Sequence, residues 1–411
     1  MAIIGDGPAA ILLARMRHEL GYAPDATVII GKARWLGGIW NHERVVDEGH
    51  NTFATASAFG AQLPTKFGRD GQELVDFLSE VAEPIQGNLE QGNVTGVEFD
   101  STLGKYRVLY KRGNVVVASL ADSVCICTGC GVPAPLSSHS MKTNAEDIQG
   151  LGKYMKRWQE QLDDSEEFEG QNPLLVGLGN STIGMIRQLV EFASQGTDVV
   201  PLILTHHTRN ALLKQNVLFG RQDGKLDGPL GRTPSNLSKL ALDIDDVRDS
   251  FKTALDNGWI IDSVSRWDVD GKLLRKKKIC RVRIETRRRM THEMETNRIY
   301  ALIGYRNDPD VMRALGCAKV SNEGYVQYDP VTHRVSAAFP NDPRRLYIMG
   351  AAASLPHNRN EELIPGMMSV VGRIALAEII AGHRRMAGVG RRILDRRKFT
   401  RSRISSVLGR F

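Results

Sequence analysis

The chain has 411 residues, 42% hydrophobic and 25% charged, with a formal net charge of +7. This length allows two or three domains, and no run approaches the ~18 uncharged apolar residues that span a bilayer. No secretion signal is visible, and an odd number of cysteines, 5, argues against a disulfide framework. We therefore expect a globular protein of the reducing cytoplasm, with no metal-binding cluster of residues.

The first glycine-rich loop, GDGPAA (5–10), follows a short apolar strand, Ala2–Ile4, and precedes a helical pattern. Its first glycine allows a tight turn, and its second lets a pyrophosphate approach the backbone. An alanine replaces the third glycine where helix meets strand, and the helix N-terminus faces the phosphates. The order strand, G-x-G-x-x-A, helix predicts a dinucleotide site formed by Gly5, Gly7, Pro8, Ala9 and Ala10.

The second strand, ATVII (26–30), lacks the acidic residue that normally ends it and grips the ribose hydroxyls. Gly31 stands in that place and Lys32 follows, which weakens the adenosine anchor and makes Lys32 a candidate contact. We expect Gly31→Glu to tighten binding, unless Lys32 or another group already holds the ribose.

The segment SVCICTGCGVPAP (123–135) contains a C-x-x-C sequence, Cys127 to Cys130. The segment has two interpretations: a redox-active dithiol, or an apolar strand that ends in a turn. Free cysteine behaves as a small buried hydrophobe, which favours the structural interpretation.

A second glycine-rich loop, GLGNST (177–182), lies between the strand Leu174–Val176 and another helical pattern. The next strand, VVPLILT (199–205), is followed by HHTR (206–209) with no carboxylate. Basic and hydroxyl groups suit a 2′-phosphate and favour NADP(H) over NAD(H), unless they are ordinary surface residues. Two such loops predict a flavin and a nicotinamide dinucleotide. The nicotinamide site would contain Gly177, Gly179, Asn180, Ser181, Thr182 and Arg209.

Taken in order, the motifs resemble those of the two-dinucleotide-domain flavoproteins: flavin-containing monooxygenases, amino-acid N-hydroxylases and pyridine-nucleotide thiol reductases. The resemblance spans nearly the whole chain and rests on GDGPAA, GGIW (37–40), CTGCGVP (127–133), GLGNST, YALIGYRND (300–308), RRLYIMGAA (344–352) and ELIPGMMSVVGRIALAEI (362–379). It implies an α/β fold with two Rossmann-like dinucleotide-binding domains, the nicotinamide domain being inserted into the FAD domain.

This layout implies an FAD-binding domain in two parts, 1–160 and 300–383, an NADP-binding domain at 161–299, and a basic C-terminal tail at 384–411. Cys127 and Cys130 then lie in the turn between the two domains, away from the family's redox positions. The second such turn, LIGY (302–305), lacks the family's usual threonine, which leaves its hydrogen bonding open.

The resemblance implies cofactor contacts at Gly38, Trp40, Thr128, Gly129, Gly350, Ile364 and Gly366. It also implies a substrate pocket whose candidate residues are Trp40, Asn41, His42, Asn51, Lys66, His357 and Asn358. The alternative for the pocket residues is that they only pack their loops.

Without a placed cysteine pair, the resemblance favours an NADPH-dependent FAD monooxygenase. It would use molecular oxygen and a C4a-hydroperoxyflavin to hydroxylate the nitrogen of an amine or amino acid. One alternative is an NADPH-dependent flavin reductase of a low-molecular-weight disulfide or quinone. The other is a non-catalytic binding or assembly protein with the flavoprotein fold.

The basic tail, 384–411, has two interpretations. It is either a solvated surface arm or a docking surface for an acidic partner such as a carrier protein. Nucleic acid ranks last because no recognition motif accompanies the charge, and a homo-oligomer is the family's common assembly.

Overall fold

The computed structural model describes residues 1–38, 71–129, 131–148, 151, 155–156, 168–178, 180–209, 241–270, 279–339, 345–353 and 370–380. No helix in these ranges is long and apolar enough to cross a membrane.

The first half of the chain contains helices and strands in the order β1 Ala2–Ile4, α1 Pro8–Glu19, β2 Val28–Gly31, α2 Gly71–Ala82, β3 Leu89–Gln91, β4 Asn93–Asp100, β5 Lys105–Arg112, β6 Val115–Ala121, β7 Val124–Ile126, β8 Val132–Pro133, β9 Met155–Lys156, β10 Leu174–Val176, α3 Asn180–Ser194 and β11 Leu202–Leu204.

The second half continues with α4 Ala241–Asp256, β12 Ile260–Ile261, β13 Val264–Val269, β14 Cys280–Thr286, β15 Thr291–Thr296, β16 Ile299–Ala301, β17 Tyr305–Arg306, α5 Pro309–Ala314, β18 Leu346–Ile348 and the helix α6, 370–380.

The first parallel sheet has the strand order β18-β7-β1-β2-β3. Strands β1, β7 and β18 read AII, VCI and LYI, and every residue in them is buried. Such continuous apolar runs are typical of parallel strands that are covered on both faces. Helix α6 packs on this sheet through Val370, Ile374 and Ala377, which a spacing of three to four residues places on one face of a helix.

The second parallel sheet has the order β12-β11-β10-β16-β9. Strands β1 and β10 coincide with the predicted strands, so both glycine-rich loops follow central strands of parallel sheets. The predicted α/β class with Rossmann-type sheets is therefore confirmed. The domain boundaries at 160 and 299 remain predictions. Strand β9, which precedes residue 160, and the end of β16, which follows residue 299, both belong to this second sheet.

The described residues also form two three-stranded antiparallel sheets, β4-β5-β6 and β13-β14-β15, and a two-stranded one, β17-β8. The segment CRVRIET forms β14 with alternating buried and exposed residues, as its sequence pattern predicts. Helix α4 lies within 211–265, a stretch whose sequence is rich in helix-compatible residues.

A buried ion pair fastens α6 to the first sheet. The Glu378 carboxylate accepts hydrogen bonds from Arg345 Nε (3.1 Å) and Nη2 (2.7 Å), Ser123 Oγ (2.7 Å) and Tyr347 OH (2.8 Å). Burial opposes ionisation, but these donors outweigh it and hold the pKa of Glu378 below its usual value. Segments more than 250 residues apart in sequence are thereby joined through one carboxylate.

We expect Glu378→Gln to lower the free energy of unfolding by about 3–5 kcal/mol, because it leaves the Arg345 guanidinium buried without its counter-charge. Urea titration followed by circular dichroism measures the change. Glu295→Gln removes the carboxylate of an exposed pair with Arg281 and should cost at most about 1 kcal/mol. Equal losses for both variants would contradict the expectation that the buried pair contributes more to the free energy of unfolding than the exposed pair.

Candidate functional site

Three loops meet at the carboxyl edge of the first sheet. Ile4, Ile126 and Ile348 are in register across β1, β7 and β18, so the segments that follow them emerge side by side. Strand β1 has β2 on one side and β7 on the other, which makes this edge the point where the strand order reverses. Ligands of open α/β sheets bind at such points.

Glycines leave the backbone at this edge free of side chains, and we call the surface formed by Gly5, Gly7 and Gly38 the first cradle. Gly5 has φ 118° and Gly38 has φ 64°, both in the region that favours glycine. A Cβ atom added at Gly38 would lie 2.8 Å from the Gly7 Cα, so the two backbones touch. A Cβ atom added at Gly7 would meet nothing within 4 Å, which leaves open space in front of the loop.

The cradle also presents unused hydrogen-bonding groups. Helix α1 begins at Pro8, and no side chain caps its N-terminus. The hydroxyl of Thr128 is buried without a hydrogen-bond partner among the described residues, and Gly129 beside it has φ 76° and open space in front. Gly350 opens the turn after β18 with φ 68°. These groups fit a bound dinucleotide, whose diphosphate would lie at the helix N-terminus.

The expectation that Gly31→Glu tightens binding needs correction. A Cβ atom added at Gly31 would lie 2.5 Å from both the Cβ and the Oδ2 of Asp6, so a glutamate cannot enter while Asp6 stays in place. Lys32, the candidate contact at this position, is exposed, and its carbonyl accepts a hydrogen bond from Gln91.

The second glycine-rich loop repeats the turn at the end of β10. Gly177 has φ 101°, and a Cβ there would lie 2.7 Å from the Leu302 carbonyl oxygen. Helix α3 begins at Asn180, so the last three residues of GLGNST, Asn180 to Thr182, belong to the helix. Thr182 is fully buried and donates to the Gly177 carbonyl at 3.0 Å. This hydroxyl stabilises the turn, and the contact of Thr182 with the coenzyme remains a prediction.

The two connections between the sheets pair with each other. Tyr305–Arg306 of β17 and Val132–Pro133 of β8 form an antiparallel pair, and the Ala134 amide donates to the Gly304 carbonyl at 2.9 Å. Backbone hydrogen bonds therefore hold this hinge, although LIGY lacks the threonine.

Three histidines gather at the carboxyl end of β11, beside the second glycine-rich loop. The ring of His206 lies 4.0 Å from that of His207 and 5.5 Å from that of His139, measured between centroids. Backbone hydrogen bonds bring Arg287 close to them: the Ser263 amide donates to the His207 carbonyl, and the Arg287 amide donates to the Ser263 carbonyl. We call these four side chains the histidine cluster; Thr208 and Arg209 beside it are exposed.

Burial and the repulsion between neighbouring basic groups keep the three imidazoles of the histidine cluster neutral. Burial, together with the neighbouring imidazoles of His206 and His207, lowers the pKa of His139 to about 4. Burial, His206 and Arg287 likewise lower the pKa of His207 to about 4, and burial and Arg287 lower that of His206. A dianionic phosphate would favour the charged imidazoles. No group of three or more His, Cys, Asp or Glu within the described ranges is arranged to hold a metal ion.

The cysteines of the described segments are core residues. Cys125, Cys127, Cys280 and Cys317 are free and buried. Cys127 Sγ lies 3.7 Å from Cys125 Sγ, and burial raises the pKa of the Cys125 thiol well above its usual value. An inert buried thiol agrees with the structural interpretation of this strand.

Several predicted site residues lie outside the described residues. These are Gly179, Cys130, Trp40, Asn41, His42, Asn51, Lys66, His357, Asn358, Ile364, Gly366 and the basic tail. The side chains of Asn180 and Ser181 are likewise not described.

Sequence reasoning missed two members of the histidine cluster. His139 comes from the segment after β8. Arg287 directly follows β14, within the basic segment RKKKICRVRIETRRR (275–289). Neither lies within a motif, so only the proximity of strand ends in space reveals them. Asn307, within the motif YALIGYRND, has a buried amide that donates to the Gly324 and Ala352 carbonyls at 3.0 and 2.9 Å.

No family model and no curated protein matches the chain. Solved structures do. The cadaverine monooxygenase DfoA of Erwinia amylovora, bound to FAD, is similar with a TM-score of 0.61 and 12% identity, covering 91% of this chain and 92% of that one. The bacillithiol disulfide reductase Bdr of Staphylococcus aureus also has a TM-score of 0.61, with 15% identity over 92% and 97% of the chains.

An ornithine N-hydroxylase of Kutzneria sp. 744, solved with reduced FAD, NADP⁺ and L-ornithine, has a TM-score of 0.59 and 14% identity, covering 93% of this chain and 98% of that one. At these identities the comparisons show a shared fold, that of the two-dinucleotide-domain flavoproteins. Coverage above 90% on both sides means that the likeness extends over the whole architecture.

The free protein should lose stability as the pH falls from about 7 to about 4, because the unfolded chain protonates its histidines near 6.5 while the folded cluster resists. Thermal melts across this range should therefore show a falling Tm. Replacing His139 and His207 together by Gln should flatten that slope. An unchanged slope in the double variant would contradict the assignment.

Proposed function

We propose that the chain is an FAD- and NADPH-dependent oxidoreductase that acts as a monooxygenase on a nucleophilic nitrogen. The shared fold supports two dinucleotides, and both glycine-rich loops follow central parallel strands, as such sites require. In the neighbouring structures named above, one protein carries FAD and another carries FAD and NADP⁺.

The first cradle would hold FAD. The backbones of Gly5 and Gly7, the N-terminus of α1 and the Thr128 hydroxyl would surround the diphosphate. FAD, when bound, supplies hydride acceptance and the activation of oxygen. The chain contributes the binding groups, the orientation of the ring and the exclusion of water.

The histidine cluster would hold the 2′-phosphate of NADPH. It lies after the second strand of the β10–β11 unit, where the adenosine ribose of a Rossmann domain is bound. Arg287 supplies a permanent positive charge, and the imidazoles of His206 and His207 can gain a proton when the phosphate arrives. A carboxylate that would select NADH is absent from 206–209.

The burial of Cys125, Cys127, Cys280 and Cys317 argues against a reductase that works through a dithiol formed by these residues. Thiol–disulfide exchange needs an accessible thiolate, and none of these four thiols offers one. Oxygenation of a lone pair needs no such nucleophile from the protein. The disulfide reductases of the same fold make reduction of a small disulfide directly by the flavin the competing function.

The substrate class is an amine or amino acid. DfoA is a cadaverine monooxygenase, and the Kutzneria protein is an ornithine N-hydroxylase. The pocket residues from Trp40 to Lys66 and His357–Asn358 remain predictions, as do an acidic partner for the basic tail and a homo-oligomer.

We expect NADPH oxidation to consume oxygen in step with hydroxylated product when the protein, loaded with FAD, is given diamines and basic amino acids. An oxygen electrode and product analysis by mass spectrometry measure the two amounts. The competing reductase would oxidise NADPH anaerobically in the presence of a small disulfide or quinone. Anaerobic turnover without oxygen uptake would overturn the monooxygenase.

Arg287→Gln should weaken NADPH binding about tenfold and leave NADH binding unchanged, because one charge-assisted contact to the 2′-phosphate is lost. Fluorescence titration measures both affinities. The matched control is Arg288→Gln, the exposed neighbour, which should bind both coenzymes like the parent. Equal weakening for NADPH and NADH would remove Arg287 from the phosphate site.

A further inference from the structure

We propose that Asp6, the middle residue of the first G-x-G, holds the adenosine ribose of FAD in place of the acidic residue missing from the end of β2. The inference rests on the proposed FAD site and names a residue that no motif assigns. Its basis is steric: the Asp6 side chain occupies the volume that a side chain at position 31 would need. We call this relation the exchange of space.

Gly31 is needed for its lack of a side chain. Its φ lies outside the left-handed region, so its backbone conformation does not call for glycine. An added Cβ would lie 2.5 Å from Asp6 Cβ and Oδ2 and 2.8 Å from Asp6 Cγ. The Asp6 side chain thus fills the volume where a residue at the end of β2 would begin.

Two hydrogen bonds fix Asp6 in that volume. Its Oδ2 accepts from the Ala33 amide at 2.8 Å, and its carbonyl accepts from the Gly37 amide at 2.7 Å. The residue therefore joins the glycine-rich loop to the segment that follows β2. A carboxylate fixed through one oxygen, on a residue whose backbone carbonyl is also bonded, is pre-organised for a ligand.

The other oxygen, Oδ1, is left for the ligand. It accepts no hydrogen bond from any described residue. It lies 3.6 Å from the point where a Gly38 Cβ would stand, and that same point is 2.8 Å from the Gly7 Cα. Oδ1 thus lies beside the contact between the Gly7 and Gly38 backbones, where the glycine-rich loop meets the segment after β2.

A carboxylate at this place can accept hydrogen bonds from the 2′- and 3′-hydroxyls of a ribose. It would repel a 2′-phosphate, so it also directs the first site to FAD and away from NADPH. The acidic function is retained, but it reaches the ribose from the glycine-rich loop and not from the strand end.

The test measures the Kd of the full-length protein for FAD and for an FAD analogue whose adenosine lacks both ribose hydroxyls. The parent should prefer FAD, and Asp6→Ala should weaken FAD about 10- to 100-fold and lose that preference. Asp6→Asn keeps the shape and the acceptor for Ala33, and should still lose most of the preference. Asp25→Ala, an exposed acidic residue near the same sheet, is the control and should behave like the parent.

The exchange of space gives a second measurement. Gly31→Glu alone should weaken FAD because it collides with Asp6, while Asp6→Ala combined with Gly31→Glu should regain affinity over either single variant. A double variant no better than the worse single variant would overturn the exchange.

Two other results would overturn the proposal in different ways. Equal losses for FAD and the analogue in Asp6→Ala and Asp6→Asn, with unchanged circular dichroism, would mean that Asp6 only holds the Ala33 loop. A parent protein that binds neither FAD nor the analogue would remove the flavin site itself, and the proposed function with it.

Discussion

The parallel pairing of β1 with β7, and of β10 with β16, is the constraint on which both sites depend. Each pairing joins strands more than 100 residues apart and sets their carboxyl ends in register. The loops that follow then have to turn sharply within a few ångströms of one another. The positive φ angles of Gly5 and Gly177 are the consequence, because only glycine adopts them without strain.

The chain departs from its fold's motifs at several points, and each departure is matched by a nearby group. Gly31 leaves space that Asp6 fills. Thr182 replaces a glycine at the helix start, and its hydroxyl bonds to the turn that it would otherwise crowd. The missing threonine before Gly304 is offset by backbone pairing with β8. Such local compensation explains how the architecture persists at 12–15% identity to its structural neighbours.

Charge is treated differently in the core and at the second site. The buried Glu378 is surrounded by donors that keep it ionised and tie α6 to the sheet. His139, His206 and His207 have basic groups beside them, the other imidazoles and Arg287, so burial and these neighbours keep them neutral. The first arrangement holds the fold together; the second leaves basic groups that a phosphate would charge.

The sequence by itself determined the two strand–glycine–helix units, the face of α6 and the small sheet at β14, because these depend on local periodicity and on the backbone freedom of glycine. Only the tertiary structure brought His139 and Arg287 to His206, and Asp6 into the place of a side chain at Gly31. Those contacts join residues whose sequence separation carries no periodic signal. They arise where segments that follow different strands, parallel and antiparallel, end close together, and such proximity is a property of the assembled fold.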